Sequence, residues 1–205
     1  MTLISILDLA GVFVFAITGA LAANRSHMDI FGHIVMAMLP AVGGGTVRDI
    51  ILDAPVFWTS APVYVWLAVA AAVLIFFFPP KPGSRLTLLE WADAVGLALF
   101  CGLGTAKAYG LTGNITVSVT MGVVTASVGG MLRDVVINEV PLILRKEIYA
   151  TAALAGGLVY CVSFNLLQNS ALSLGLCGAV AFTIRGCALI WGWSLPARGL
   201  PKVGE

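Results

Sequence analysis

The stretch "AVGGGTVRDI" runs from Ala41 to Ile50, and "ASVGGMLRDV" runs from Ala126 to Val135, 85 residues further on. Both lie inside long apolar segments, where glycines followed by Arg-Asp interrupt an otherwise uniform run. At that same offset, with no gap, Asp8–Asp49 can be laid on Asp93–Asp134. Twelve of the 42 aligned positions are identical, among them Asp8/Asp93, Gly19/Gly104, Gly44/Gly129, Gly45/Gly130, Arg48/Arg133 and Asp49/Asp134. Apolar letters coincide easily between membrane helices, whereas glycines and charges at one fixed offset do not. The chain is an internal duplication.

Hydrophobic residues make up 60% of the 205, charged residues only 10%, and the mean hydropathy is +1.01. So much apolar side chain cannot be hidden behind so little polar surface in water. Runs of about 20 apolar residues match a hydrocarbon core about 30 Å thick, so the chain reads as an integral membrane protein in a lipid bilayer. A net charge of +1 offers no basic face and excludes nucleic acid as a partner. No basic region precedes the first apolar run, so that run is expected to be a retained span and not a cleaved signal. Cys101, Cys161, Cys177 and Cys187 all fall in apolar segments without a CxxC pair and read as small packing residues.

Apolar runs and polar punctuation predict an all-α fold of seven transmembrane helices: Leu3–Ala23, Ile30–Leu52, Ala61–Phe78, Leu88–Tyr109, Ile115–Ile137, Glu147–Leu167 and Ala171–Trp193. "PPKPGSR", Pro79 to Arg85, is the clearest break. It divides a single membrane domain into repeat one (3–78), a linker (79–87), repeat two (88–167) and an extra helix (171–193). Three spans per repeat make the second repeat enter the membrane from the opposite side. The halves are then related by a pseudo-two-fold axis in the membrane plane, as in many transport proteins. Arg25, Lys81, Arg85, Arg145, Lys146, Arg198 and Lys202 all fall on one set of loops or the tail, and the other loops carry no Lys or Arg. The positive-inside rule therefore predicts the N-terminus outside and the C-terminus in the cytoplasm.

Glycine inside a helix costs about 1 kcal/mol relative to Ala, so each cluster needs a reason. Gly43, Gly44 and Gly45, with Gly129 and Gly130, either let two helices approach closely or kink the second and fifth spans. The adjacent Arg48-Asp49 and Arg133-Asp134 favour kinks lining a polar path, since ions within a span face the bundle interior or water. On that reading K+ or Na+ would pass transiently over freed carbonyls of Gly43, Gly44, Val128 and Gly129, with hydroxyls from Thr46 and Ser127 unless these bond their own helices. Helical depth places Arg48 about 27 Å from the start of its span, near the outer surface with Asp8. Arg133 and Asp93 then lie near the inner surface. Two pairs are expected, Asp8–Arg48 and Asp93–Arg133, against the simpler reading that all four snorkel. Neighbours on a helix do not face each other, so Arg48–Asp49 is not expected to pair.

Lys107 has Ala22 as its mate in the first repeat, so its charge is not a consequence of duplication. It would sit in an outer vestibule and tune or gate passage, or snorkel outward. Arg185 is deep in the seventh span and needs a partner or the headgroups. His27 and His33 read as boundary residues without metal spacing. No Gly-x-Ser-x-Gly elbow or P-loop is present, so the chain is not read as an enzyme and needs no cofactor.

Seven spans in a 3+3+1 pattern, with "GGGTVRD" and "GGMLRD" on the second and fifth, resemble the trimeric intracellular cation (TRIC) channel family, whose prokaryotic members also pass as glycine-transporter-like proteins. The resemblance covers Asp8 to about Trp193. It implies a homotrimer with one hourglass pore per protomer, bounded by the first, second, fourth and fifth spans. It also implies monovalent cation permeation, K+ over divalents, with a basic residue on the fourth span, here Lys107, taking part in gating. The lack of a long basic tail points to a prokaryotic plasma (inner) membrane. The runner-up is a secondary carrier of a small amino acid such as glycine.

Overall fold

In the computed structural model, residues 3–196 are described; Arg198 and Lys202 lie outside them. Eight α-helices follow in order: α1 Leu3–Arg25, α2 Ile30–Ile51, α3 Phe57–Ser60, α4 Val63–Phe77, α5 Arg85–Thr112, α6 Ile115–Val136, α7 Ala150–Leu167 and α8 Ser170–Trp191. Six of these are long and apolar enough to cross a membrane, and α4 is shorter. With α3 a single turn, seven helices form the bundle. At 15 residues, α4 spans about 22 Å at 1.5 Å per residue.

Local chemistry sets the ends. Asp29 and Asn114, one repeat apart, cap α2 and α6 by accepting from Gly32 N and Val117 N. Gly113, at φ +62°, closes α5 in the left-handed region that suits glycine. Two ends differ from expectation. A single 3-10 turn over Pro82–Ser84 leads straight into α5, so residues 85–87 are helical and the linker is shorter. Glu147–Tyr149 stay outside α7, because Glu147 bridges to Ser194 across the end of the bundle.

The duplication is built into the packing. α1 lies on α5 and α2 lies on α6, and each pair consists of equivalent helices from the two repeats. Phe15 stacks on its mate Phe100 with ring centroids 5.1 Å apart. Gly11 lies under Phe100, and Gly96 lies under Phe15. The pseudo-two-fold axis therefore passes between these four helices. α8 stands outside the symmetry against α5 and α7, where Gly156 admits Cys177 and Ala181.

Candidate functional site

The glycine motifs meet at the pseudo-axis. A Cβ on Gly44 would run into the carbonyl oxygen of Thr125, and one on Gly129 would run into that of Pro40. Thr125 is the mate of Pro40, as Gly129 is of Gly44, so the contact is self-complementary: backbone meets backbone twice, related by the axis. Both helices run unbroken through their glycines. Whatever bend Gly43, Gly44, Gly45, Gly129 and Gly130 allow, it breaks neither helix. The carbonyls of Gly43, Gly44, Val128 and Gly129 remain within continuous helices, and the missing side chains serve close approach. The helical residue without an N–H is Pro40, which leaves the Met36 carbonyl without its helical donor. Gly19 of α1 sits against that carbonyl.

At one end of the crossing the charges gather on Asp49. Its Oδ1 accepts from Arg48 Nε at 2.7 Å and from Lys107 Nζ at 2.8 Å. Its Oδ2 accepts from Phe57 N at 3.0 Å, tying down the start of α3. The Asp49 side chain is fully buried while Lys107 keeps a third of its side chain exposed, facing a cavity of about 440 Å³. Asp8, Arg48, Phe57, Tyr109 and Tyr160 also line this vestibule. The expected Asp8–Arg48 pair does not form; Asp8 Oδ2 instead accepts from Tyr64 OH at 2.8 Å. Arg48 instead joins its neighbour Asp49. The rule that adjacent residues diverge holds for Cβ atoms, and the long arginine stem wraps back far enough to defeat it.

The opposite end repeats the design with different partners. Arg133 Nε donates to Asp134 Oδ1 at 2.8 Å and Arg133 Nη1 to Asp93 Oδ1 at 2.9 Å. Asp134 Oδ2 accepts from Leu142 N at 3.2 Å, the mate of the Asp49–Phe57 bond. Here Arg133 and Asp93 are fully buried. Tyr149, the mate of Tyr64, donates to Ala126 O at 3.3 Å, and burial pushes its phenol pKa up. Asp93 Oδ2 and Arg133 Nη2 have no hydrogen-bond partner.

A family model described as "Glycine transporter" matches residues 5–80 and 90–165; the two matches are shifted by the same 85 residues as the motifs. An Escherichia coli strain K12 inner membrane protein, YadS of the UPF0126 group, is 40% identical over 97% of this chain and 98% of its own. A UPF0126 membrane protein of Vibrio cholerae is 38% identical over 98% of this chain and 85% of its own. The solved structure of a TRIC trimeric intracellular cation channel orthologue from Rhodobacter sphaeroides superposes with a TM-score of 0.90. It is 42% identical and covers 94% of this chain and all of that one. The chain belongs to the prokaryotic TRIC channel family. A second TRIC cation channel structure gives a TM-score of 0.89 at 32% identity, over 98% of this chain and all of that one. TRIC proteins are channels and not enzymes.

Within this TRIC chain the remaining polar residues fall into supporting positions. Thr46 Oγ1 and Ser127 Oγ donate to carbonyls of their own helices, Val42 O at 2.7 Å and Val123 O at 2.6 Å. Thr46 also accepts from Trp58 Nε1 at 2.9 Å. Arg185 finds its partner in Glu147 at 2.6 Å, with its guanidinium 5.2 Å from the Tyr149 ring centroid. His33 is buried, with Nδ1 2.9 Å from Asp29 O, whereas His27 is exposed at φ 53°. Cys101 donates to Ala153 O and Cys177 to Cys101 Sγ at 3.9 Å, while Cys161 and Cys187 pack as small side chains. Sequence reading missed Tyr64, Tyr149 and Pro40. The aligned tyrosines, 85 residues apart, were the available signal.

Proposed function

We propose that this chain is a K+-permeable monovalent cation channel. It sits in the bacterial inner membrane as a homotrimer with one pathway per protomer, N-terminus outside and C-terminus cytoplasmic. The observation that carries the reading is the vestibule of about 440 Å³, which lies beside buried charges at the end of an α2–α6 crossing where two backbones touch. Water and ions entering there meet Lys107 and Arg48 held on Asp49 and, across the cavity, Asp8. The inverted repeat supplies a related cluster at the other end, so one path has two polar ends and a tight middle. Lys107 takes the gating role in this reading. Its amine bridges α5 to α2, and a change in field acting on its charge would load that bridge directly. Selectivity rests on side-chain carboxylates and hydroxyls at the two ends and on the narrow apolar middle, with no ring of mid-membrane acids.

A second reading, a carrier of a small amino acid, draws on the same cavity: Arg48 and Lys107 face Asp8, opposite charges that suit a zwitterion. Liposome flux separates the two. Purified protein should release trapped K+ down its gradient in the absence of any amino acid. Glycine uptake that saturates, without such K+ release, favours the carrier. Native mass spectrometry should show three copies, and a monomer that still conducts removes the trimer from the proposal.

A further inference from the structure

The two ends of the pathway are related by symmetry but differ in size. Ile4, Arg48, Phe57 and Gly110 line the vestibule of about 440 Å³. Their mates, Leu89, Arg133, Leu142 and Arg25, line a space of about 10 Å³ at the opposite end. About 10–15 Å³ is the least that holds a single water, so this end is shut. Gly110 accounts for part of the difference, since nothing lies within 4 Å of where its Cβ would be. At the equivalent place Arg25 extends across the mouth.

Arg25 Nη2 donates to Glu139 Oε1 at 2.8 Å, and Arg145 Nη2 donates to Glu139 Oε2 at 3.4 Å. Arg145 Nη1 lies 4.0 Å from Glu147 Oε1, and Glu147 Oε2 accepts from Arg185 Nη2 at 2.6 Å. This chain of charges ties the end of α1, through the loop after α6 and the approach to α7, to α8. The mates of Arg25, Glu139, Arg145 and Glu147 are Gly110, Ala54, Ser60 and Pro62, so nothing of the kind crosses the open end. Arg25, Glu139 and Arg145 each keep about three-tenths of the side chain exposed. Directly behind them sit the buried Arg133 and Asp93 with their unpartnered Nη2 and Oδ2, groups that water would satisfy.

We propose that the Arg25–Glu139–Arg145 strap is the shutter of this second mouth: parting it admits water to the Arg133–Asp93 pair and completes the pathway. The proposal rests on the reading of a continuous pathway through the protomer. Part-exposed ion pairs suit such a role, because they form and break at little cost and weaken as salt screens them.

Accessibility of a cysteine behind the strap tests this without reference to flux. Leu89 lines the closed space and is nearly buried. Leu89→Cys protein in lipid nanodiscs would be labelled with a cationic methanethiosulfonate, counting only labelling beyond that of the chain without this substitution. Arg25→Gln and Glu139→Gln should each raise the rate by roughly 1.5- to fivefold, the range one part-exposed pair can contribute. The charge swap Arg25→Glu with Glu139→Arg should bring it part of the way back, because it rebuilds the pair between 25 and 139 but not the link to Arg145. Raising ionic strength from about 0.05 to about 0.5 M should speed labelling with the strap intact, and this arm decides if a variant does not fold. An unchanged rate in both variants and in salt, or no recovery in the swap, overturns the proposal. Labelling that responds as expected in protein that passes no K+ would keep the shutter and remove the channel reading instead.

Discussion

Lys107 Nζ lies 2.8 Å from Asp49 Oδ1, the same oxygen that takes Arg48 Nε at 2.7 Å. One carboxylate thus carries two cations from two helices at the mouth of the vestibule. Its second oxygen holds the backbone of α3. Lys107 is the more exposed of the two cations and the one without a counterpart in the other repeat. It can leave without unfolding the motif, whereas Arg48 is buried against its own helix.

Lys107→Gln should raise K+ conductance while the fold persists. The substitution removes one positive charge from a confined mouth, where fields are focused, and an increase on the order of two- to tenfold is expected. Single-channel recording checks it; a fall in conductance would mean that Lys107 attracts the permeant species and would favour an anion or zwitterion.

The backbone crossing sets a second expectation. Gly44→Ala and Gly129→Ala each push a methyl into a carbonyl of the partner helix, and overpacking of this kind costs about 1–3 kcal/mol. Both variants should lower the thermal midpoint in detergent. Gly83→Ala, with open space around it, should not. Equal behaviour of all three would show that α2 and α6 do not touch as described.

The two ends should differ in their tolerance of lost charge. Arg133→Gln leaves Asp93 buried without its cation, and breaking a buried pair costs about 3–5 kcal/mol. Asp8→Asn alters a half-exposed hydrogen bond to Tyr64, worth about 1 kcal/mol. Denaturation of the two variants should rank them in that order, and the reverse order would contradict the burial found at each end.

Much of this arrangement was legible in the sequence. The fixed offset of 85 gave the repeat, apolar runs gave the seven helices, and helical rise gave the position of each charge along its helix. Together these were enough to join Asp93 to Arg133. They could not join Asp8 to Tyr64, because depth along a helix says nothing of its rotation, and the hydroxyl that reaches Asp8 comes from a helix that depth arithmetic left out. The Lys107–Asp49 contact was hidden for the same reason. The role of the glycines was less legible. Their neighbours Arg48 and Arg133 suggested a polar path, yet Gly44 and Gly129 pack against backbone in the middle of the crossing, while Gly130 faces Asp93 and Arg133. Repeat symmetry did contain the correction: Gly44 and Gly129 each stand four residues after the position whose mate they touch.

Ion permeation is the central claim, and recording in planar bilayers under a K+ gradient tests it most directly. The purified protein should give unitary currents whose reversal potential lies near that of K+. Silent bilayers, from protein that is folded and assembled, would contradict the channel.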